Sequence, residues 1–165
     1  MVFGQENIFT IDADLSQSGY YTFINCCFRV KEVTIGDITQ LSLLGVAQPL
    51  FKKILLKEGQ RSAAALEKNS ADEIIHLLKE AKSGDNEAAE ALLETLEIDL
   101  NGIECFDGYY FFLIESQGFD RLLISDNVDK KNYEFKLPKN HFYKSIKLLL
   151  SWINDVTYIA LKTDM

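Results

Sequence analysis

Two aspartates and one cysteine–histidine pair are the side chains whose types and spacing could support catalysis. Asp12 and Asp14 are two residues apart in a segment with strand periodicity, so both would lie on one face, as acid–base work or divalent-cation binding requires. Cys105 could act as a nucleophile with His141 as its base only if the fold brought them together. Any solvated strand face can show the same aspartate spacing, and the sequence contains neither a glycine-rich phosphate loop nor a nucleophile elbow. The sequence therefore predicts that the protein is not an enzyme, with a carboxylate-dependent hydrolase as the less favoured alternative.

Metal and cofactor sites are not expected. Cys26 and Cys27 are adjacent, so they would face opposite sides of a strand, and no cysteine pair has the spacing of a zinc site. Only two histidines, His76 and His141, could complete such a site. We expect reduced cysteines in a cytoplasmic protein. No apolar run approaches the ~20 residues that a membrane span needs, and the first residues lack the pattern of a signal peptide.

The acidic charge of the chain is concentrated in one segment. The formal net charge is −8, and residues 71–107 carry eleven acids against two lysines, which leaves the rest of the chain at +1. An acidic protein repels nucleic acid and attracts basic partners, so nucleic acid and membranes are not expected as partners. The predicted partner-binding residues are the acids on a helix face and the turns after it: Asp85, Glu87, Glu90, Glu94, Asp99, Glu104 and Asp107. The competing interpretation is that these acids only solvate two helices.

Periodicity predicts the elements that position these acids. Residues 9–15 and 20–30 alternate as strands, and a weaker third strand is predicted at 39–44. Pro49 at a first helical turn predicts a helix to about Glu58.

Two helices are predicted in the acidic segment itself. Ser70 and Glu73 form a capping-box pattern for a helix that ends at Gly84, and Asp85 is predicted to cap the next helix. In that helix the outward face carries Glu87, Glu90 and Glu94, and the inward face carries Ala88, Ala91, Leu92 and Leu96.

The second half of the chain predicts a meander of strands and a closing helix. Residues 109–114 are apolar on both faces, as in a strand covered on both sides. The predicted strands are 98–106, 109–115, 119–124 and 133–137, followed after Pro138 by a helix and by a possible strand at 156–161. On that helix Leu148 and Trp152 are candidates for an exposed apolar contact, and the favoured alternative is that another helix or the C-terminal tail covers them. The predicted fold is a single α+β domain over 1–165, with about six mostly antiparallel strands and three to four helices packed on them.

Several segments also carry a family resemblance. They are residues 1–4 leading into the first strand, 25–30 with 36–39 behind them, the hairpin from 107–112 to 120–123, and the Leu137–Pro138 entry to the closing helix. In these segments the chain resembles the immunity proteins of bacterial polymorphic toxin systems, including contact-dependent growth inhibition, and most resembles immunity family forty-two. The resemblance covers most of the chain, although residues 46–97 depart from the family pattern.

The resemblance implies a protein that stays in the cytoplasm of the producing cell, binds a cognate toxin domain and occludes its active site without catalysis of its own. Toxin domains of such systems are often nucleases with basic clefts, which an acidic inhibitor could fill. No contact residues transfer from the family, so the seven acids above rest on charge and periodicity. The alternative within the binding class is a cytosolic adaptor or secretion chaperone.

Overall fold

The N-terminal half of the chain begins with an antiparallel sheet. The structure is a computed structural model that describes residues 1–163, with side chains described through residue 157. The strands of this sheet are β1 (Val2–Gln5), β2 (Phe9–Ser18), β3 (Tyr21–Val30), β4 (Val33–Ile35) and β5 (Ser42–Leu43). The order is β1-β2-β3-β4, and β5 pairs with β3 beyond the end of β4. The two long predicted strands are confirmed, whereas the strand predicted at 39–44 is only two residues long.

Helix α1 (Leu44–Leu56) begins five residues earlier than predicted, so Pro49 lies inside it. Proline lacks the N–H that would bond the carbonyl of Gly45, and Gly45 is exposed, so water can satisfy that carbonyl. The helix packs on the sheet through Leu44, Ala47, Phe51 and Ile54.

Helix α2 (Ala71–Ser83) has the predicted boundaries. Both hydrogen bonds of the capping box form between Ser70 and Glu73, and Gly84 ends the helix in the left-handed conformation. The predicted cap of the next helix is wrong, because the Asp85 carboxylate accepts a hydrogen bond from Ser83 Oγ instead (2.5 Å).

Helix α3 (Glu90–Leu96) follows a 3₁₀ turn at Glu87–Ala89. A 3₁₀ turn has three residues per turn, so it shifts the phase of the apolar stripe. Ala89 and Leu96 are consequently buried and Leu92 is half-buried, whereas Ala88 and Ala91 are exposed rather than inward-facing as predicted.

The second sheet contains β6 (Glu97–Ile98), β7 (Tyr109–Glu115), β8 (Phe119–Asp126) and β9 (Lys131–Pro138), all antiparallel and in sequence order. The strand predicted at 98–106 is wrong beyond Ile98, because a turn at Asn101–Gly102 and a 3₁₀ turn at Glu104–Phe106 replace it.

Helix α4 (His141–Thr163) closes the fold and extends through the segment 156–161, where a strand was considered. Trp152 packs against Phe3 of β1 at 5.2 Å between ring centroids. The apolar stripe of the helix is buried: Phe142, Ile146, Leu149, Leu150 and Ile153. Of the two candidates for an exposed apolar contact, Leu148 is exposed and Trp152 is partly covered. No helix within residues 1–163 is long and apolar enough to cross a membrane.

The core lies between the two sheets, and a second cluster covers the far side of the second sheet. Phe28 of β3 contacts Phe111 of β7, Phe106 of the 3₁₀ turn and Phe142 of α4, with centroids 4.5–6.0 Å apart. On the opposite face of β7, Phe112 packs with α2 and α3. The fold is α+β as predicted, with nine strands in two sheets among the described residues instead of about six.

Candidate partner-binding surface

Four of the seven predicted binding residues lie together around α3. We call Asp85, Glu87, Glu90 and Glu94 the α3 acidic group. All four side chains are exposed, and none forms an ion pair with a side chain in the described part of the chain. Glu90 and Glu94 are four residues apart on one helix face, where like charges repel by a few tenths of a kcal/mol. The α3 acidic group therefore presents unneutralised negative charge to solvent.

A cleft lies between α1 and α3, beside this charge. It has a volume of about 270 Å³ and is lined by Leu50, Lys53, Ile54, Lys57, Arg61, Glu94, Glu97 and Asp99. The Lys57 ammonium group donates a hydrogen bond to the carbonyl oxygen of Glu94 in the last turn of α3, where the helix dipole favours a cation. Lys53 pairs with Asp99 at 3.4 Å, but both side chains are partly exposed and such pairs contribute little. The lysines hold α3 against α1 and leave the carboxylates of α3 free.

Helix α2 holds the other side of this region. The Lys82 ammonium group pairs with the Glu97 carboxylate, and it also lies 5.1 Å from the centroid of the Tyr110 ring. This half-buried pair joins α2 to β6, and α3 lies directly between these two elements in the chain. The acids that are neutralised in this part of the chain are therefore those next to the sheet.

The remaining two predicted residues, Glu104 and Asp107, lie in a different cluster. They surround a hollow of about 490 Å³ that is also lined by Gln40, Cys105, Tyr109 and Val128. Its carboxylates come from the loop after β4, the segment before β7, and the end of β8 with the turn after it. We call them the loop acidic group: Asp37, Glu104, Asp107, Asp126, which is buried, and Asp129. Asp129 pairs with Lys131 at 3.5 Å, and the other four form no ion pair within the described residues.

Strand pairing and one loop contact assemble the loop acidic group. Antiparallel pairing places Asp126 of β8 opposite Tyr109 of β7. On the other side the Asp37 N–H donates to the carbonyl of Cys105 at 2.8 Å. Gly36 permits this approach, because a Cβ there would lie 2.9 Å from the same carbonyl oxygen. The three segments therefore meet although they are distant in sequence.

Local hydrogen bonds fix the carboxylates of this cluster. Asp37 accepts from the hydroxyl and the backbone N–H of Thr39, and these bonds lower the pKa of Asp37. Asp126 accepts from the N–H groups of Val128 and Asp129, both at 2.9 Å. Burial and then the nearby Asp126 carboxylate raise the pKa of Tyr109. Hydrogen bonds therefore hold the Asp37 and Asp126 carboxylates in place, and the Tyr109 phenol beside them keeps its proton.

Sequence reasoning missed Asp37, Asp126 and Asp129 as members of this surface. Asp37 precedes the predicted strand at 39–44, and Asp126 and Asp129 lie between the predicted strands 119–124 and 133–137, so the sequence places all three outside predicted strands. What the sequence did not show is that these residues would lie beside Glu104 and Asp107.

The residues considered for catalysis are engaged elsewhere. The Asp12 carboxylate is held by the Arg29 guanidinium at 2.5 Å, and Asp14 is exposed. The Cys105 sulfur lies 3.5 Å from Cys26 Sγ and 3.6 Å from the hydroxyl oxygen of Ser42. His141 is not among its hydrogen-bond partners in the described residues. The contact with Cys105 and burial raise the pKa of Cys26. Within residues 1–163, no group of three or more His, Cys, Asp or Glu side chains is arranged to hold a metal ion.

Comparison with solved structures shows the class of fold to which this arrangement belongs. The chain is similar to the crystal structure of CdiI from Burkholderia dolosa, with a TM-score of 0.72 and 20% sequence identity over 92% of this chain and 99% of that one. A family model described as immunity protein 42 matches residues 1–152. The chain belongs to the immunity protein 42 family, which confirms the resemblance described above. No curated protein sequence matches it.

Proposed function

We propose that the chain is the immunity protein of a contact-dependent growth inhibition system, and that it binds and neutralises a cognate toxin domain in the cytoplasm of the cell that makes it. In this proposal the toxin is a nuclease, and the acidic surface of the chain covers its basic substrate cleft. Membership of the immunity protein 42 family supports the binding role. The fold shared with CdiI from Burkholderia dolosa supports the type of system.

One structural observation carries the proposal for the acidic surface. Six of the seven predicted acids have no ion-pair partner among the described residues, and only Asp99 has one. Exposed, unpaired carboxylates at neighbouring positions repel one another and destabilise the fold slightly. A partner that supplies basic residues would explain why the sequence keeps them. A nuclease cleft is such a partner, because it must attract phosphate groups.

The physical role of these charges is to accelerate association. Complementary charge steers two proteins together and can raise association rate constants from 10⁵–10⁶ to 10⁸–10⁹ M⁻¹s⁻¹ at low salt. Because the α3 acidic group is solvent-exposed, salt should screen its contribution strongly. Inhibition in this proposal is by binding alone and needs no catalytic side chain.

The test uses the cognate toxin domain, which this proposal expects in the reading frame upstream of this chain's gene. Co-expression should protect cells from that domain, and stopped-flow mixing should give an association rate that falls steeply with salt. The triple variant Glu87→Lys, Glu90→Lys, Glu94→Lys brings the formal net charge from −8 to −2. It should lower the association rate constant at low salt by about tenfold or more, because rim charges act mainly on association.

A matched control separates local charge from overall charge. Glu6, Glu32 and Glu67 are also exposed, unpaired within the described residues, and outside both acidic groups. Reversing these three to lysine gives the same net charge and should change the rate by less than about threefold. If both triple variants slow association equally, only overall charge matters and the α3 acidic group is not the binding surface. If the unsubstituted chain neither binds the toxin domain nor protects cells, the proposed function is wrong.

A further inference from the structure

An uncharged, tyrosine-rich patch lies at the tip of the β2–β3 hairpin and the start of α1. Its four large side chains are Tyr20, Tyr21, Leu43 and Val46, which we call the tyrosine patch. They line one shallow groove of about 450 Å³ together with Thr22, Leu44, Gly45 and Gln48. Tyr20 is fully exposed, Tyr21 is 63% exposed, and Leu43 and Val46 are each about 40% exposed. Large apolar side chains clustered in this way on a water-exposed surface mark interaction sites.

The two segments that form the patch carry no charge. Residues 15–28 and 38–51 contain no Asp, Glu, Lys or Arg, although such residues make up 25% of the chain. Interface centres are depleted in charge and enriched in tyrosine, which supplies a large contact area at a low cost in conformational entropy. The composition of the patch therefore matches the centre of an interface.

The patch continues along α1 into the cleft that Glu94 and Asp99 line. Val46, Leu50, Lys53 and Lys57 are spaced as neighbours on one face of this helix, and the last three line the cleft beneath Glu94 and Asp99. Gly102 lies against Val46 in the first turn of α1, since a Cβ built on Gly102 would be 3.4 Å from Val46 Cγ1. The loop that contains Gly102 therefore joins the patch to Asp99 on one side and Glu104 on the other.

The chain also links the patch to the loop acidic group. The uncharged segment 38–51 begins immediately after Asp37, and Gln40 of this segment lines the same hollow as Glu104 and Asp107. Segment 38–42 therefore connects the patch to the loop acidic group, and the Gly102 loop connects it to Asp99 and Glu104. A charged rim around an apolar centre is the usual anatomy of a specific interface.

We infer that the tyrosine patch is the apolar centre of the toxin-binding surface, and that its partner presents an apolar or aromatic surface surrounded by basic residues. This inference rests on the proposed function. A second copy of the chain fits the patch less well, because symmetric contact would bring two acidic rims together, and like charges facing each other across an interface oppose binding. In this arrangement the carboxylates set the association rate and the tyrosines set the dissociation rate.

The test measures binding kinetics of a Tyr20→Ala, Tyr21→Ala double variant against the cognate toxin domain by surface plasmon resonance. The dissociation rate constant should rise at least tenfold, while the association rate constant at low salt should change by less than about threefold. Leu148→Ala is the matched control, because Leu148 is a large apolar side chain of α4 that is 52% exposed and outside the patch. Circular dichroism and thermal unfolding verify that the variants fold. Because Tyr20 is fully exposed, we expect its replacement to leave the fold unchanged.

Each outcome supports or overturns the inference. A faster dissociation confined to the tyrosine variant supports it. Unchanged kinetics of that variant, with the unsubstituted chain still bound and protective, overturn the patch as an interface but leave the proposed function standing. Light scattering gives a further outcome. If the unsubstituted chain is a dimer and the tyrosine variant is a monomer, the inference is overturned, because the patch then binds a second copy. Failure of the unsubstituted chain to bind overturns both.

Discussion

A buried polar network beside the cleft leads to a quantitative prediction for Tyr143→Phe. The Arg61 guanidinium is 1% exposed and donates to the carbonyl of Ile54 (3.2 Å) and to the Tyr143 hydroxyl (2.7 Å). That hydroxyl donates in turn to the Glu115 carboxylate, which also accepts from the N–H of Gly59 (2.9 Å). Burial and the bond to Glu115 raise the pKa of Tyr143, so the phenol stays protonated and can donate. The network ties the loop after α1 to β7 and α4.

The expected cost follows from the two hydrogen bonds that the hydroxyl makes to charged groups. Hydrogen bonds to charged groups contribute about 1.5–3 kcal/mol each, and buried partners left without them incur a desolvation penalty. Arg61 keeps the Ile54 carbonyl and Glu115 keeps the Gly59 N–H, so part of each group stays satisfied. We expect Tyr143→Phe to lower the free energy of unfolding by about 2–4 kcal/mol. For a chain of this size that corresponds to a Tm lower by roughly 4–16 °C.

Urea unfolding followed by circular dichroism measures this difference, and the m-value should stay constant if the denatured state is unchanged. Tyr133→Phe is the control, because Tyr133 is half-buried against Phe135 and its hydroxyl makes no hydrogen bond within the described residues. The control should change stability by less than about 0.5 kcal/mol. An equally small change for Tyr143→Phe would refute the reasoning. It would mean that the hydrogen bonds of the hydroxyl to Arg61 and Glu115 make no net contribution to the free energy of unfolding.

Two further predictions concern a glycine and a histidine. Gly36→Ala should destabilise the protein by about 2 kcal/mol or more in urea unfolding, because its φ is +98° and a Cβ would lie 2.9 Å from the Cys105 carbonyl oxygen. Gly118→Ala, whose Cβ meets nothing within 4 Å, should be nearly neutral. Burial and then Lys144 lower the pKa of His141 below 6.5, so the unfolded chain binds the proton more readily and the free energy of unfolding should decrease as the pH falls from about 7 to about 5. His141→Gln should reduce this decrease, and an unchanged slope would contradict the assignment.

Secondary structure was predictable where it depends on residues close in sequence. The capping box of Ser70 and Glu73 is correct because its two hydrogen bonds join residues three apart. The alternation in β2, β3 and β9 is correct because each strand buries one face in the core. Strands β1 and β4 were missed because four and three residues are too short for a period of two to stand out.

Errors arose where tertiary contacts override local preference. Pro49 is typical of a first helical turn, yet α1 begins five residues before it because Leu44 and Ala47 can be buried on the first sheet. Asp85 is a suitable cap by type, but the 3₁₀ turn after it places the next helix out of reach. Arg61 gave no local indication of its role, because its partners Tyr143 and Glu115 are 82 and 54 residues away.

The concentration of acidic charge in residues 71–107 follows from the chain alone, because formal charge adds along a sequence whatever its fold. The same is true of the two uncharged segments, whose composition is visible without coordinates. Which acids share a surface is a matter of strand pairing and loop packing. Asp126 joins Glu104 and Asp107 through the β7–β8 register, and Asp37 joins them through one hydrogen bond to Cys105. Adjacency on a surface depends on contacts between distant residues, and no count along the chain contains that information.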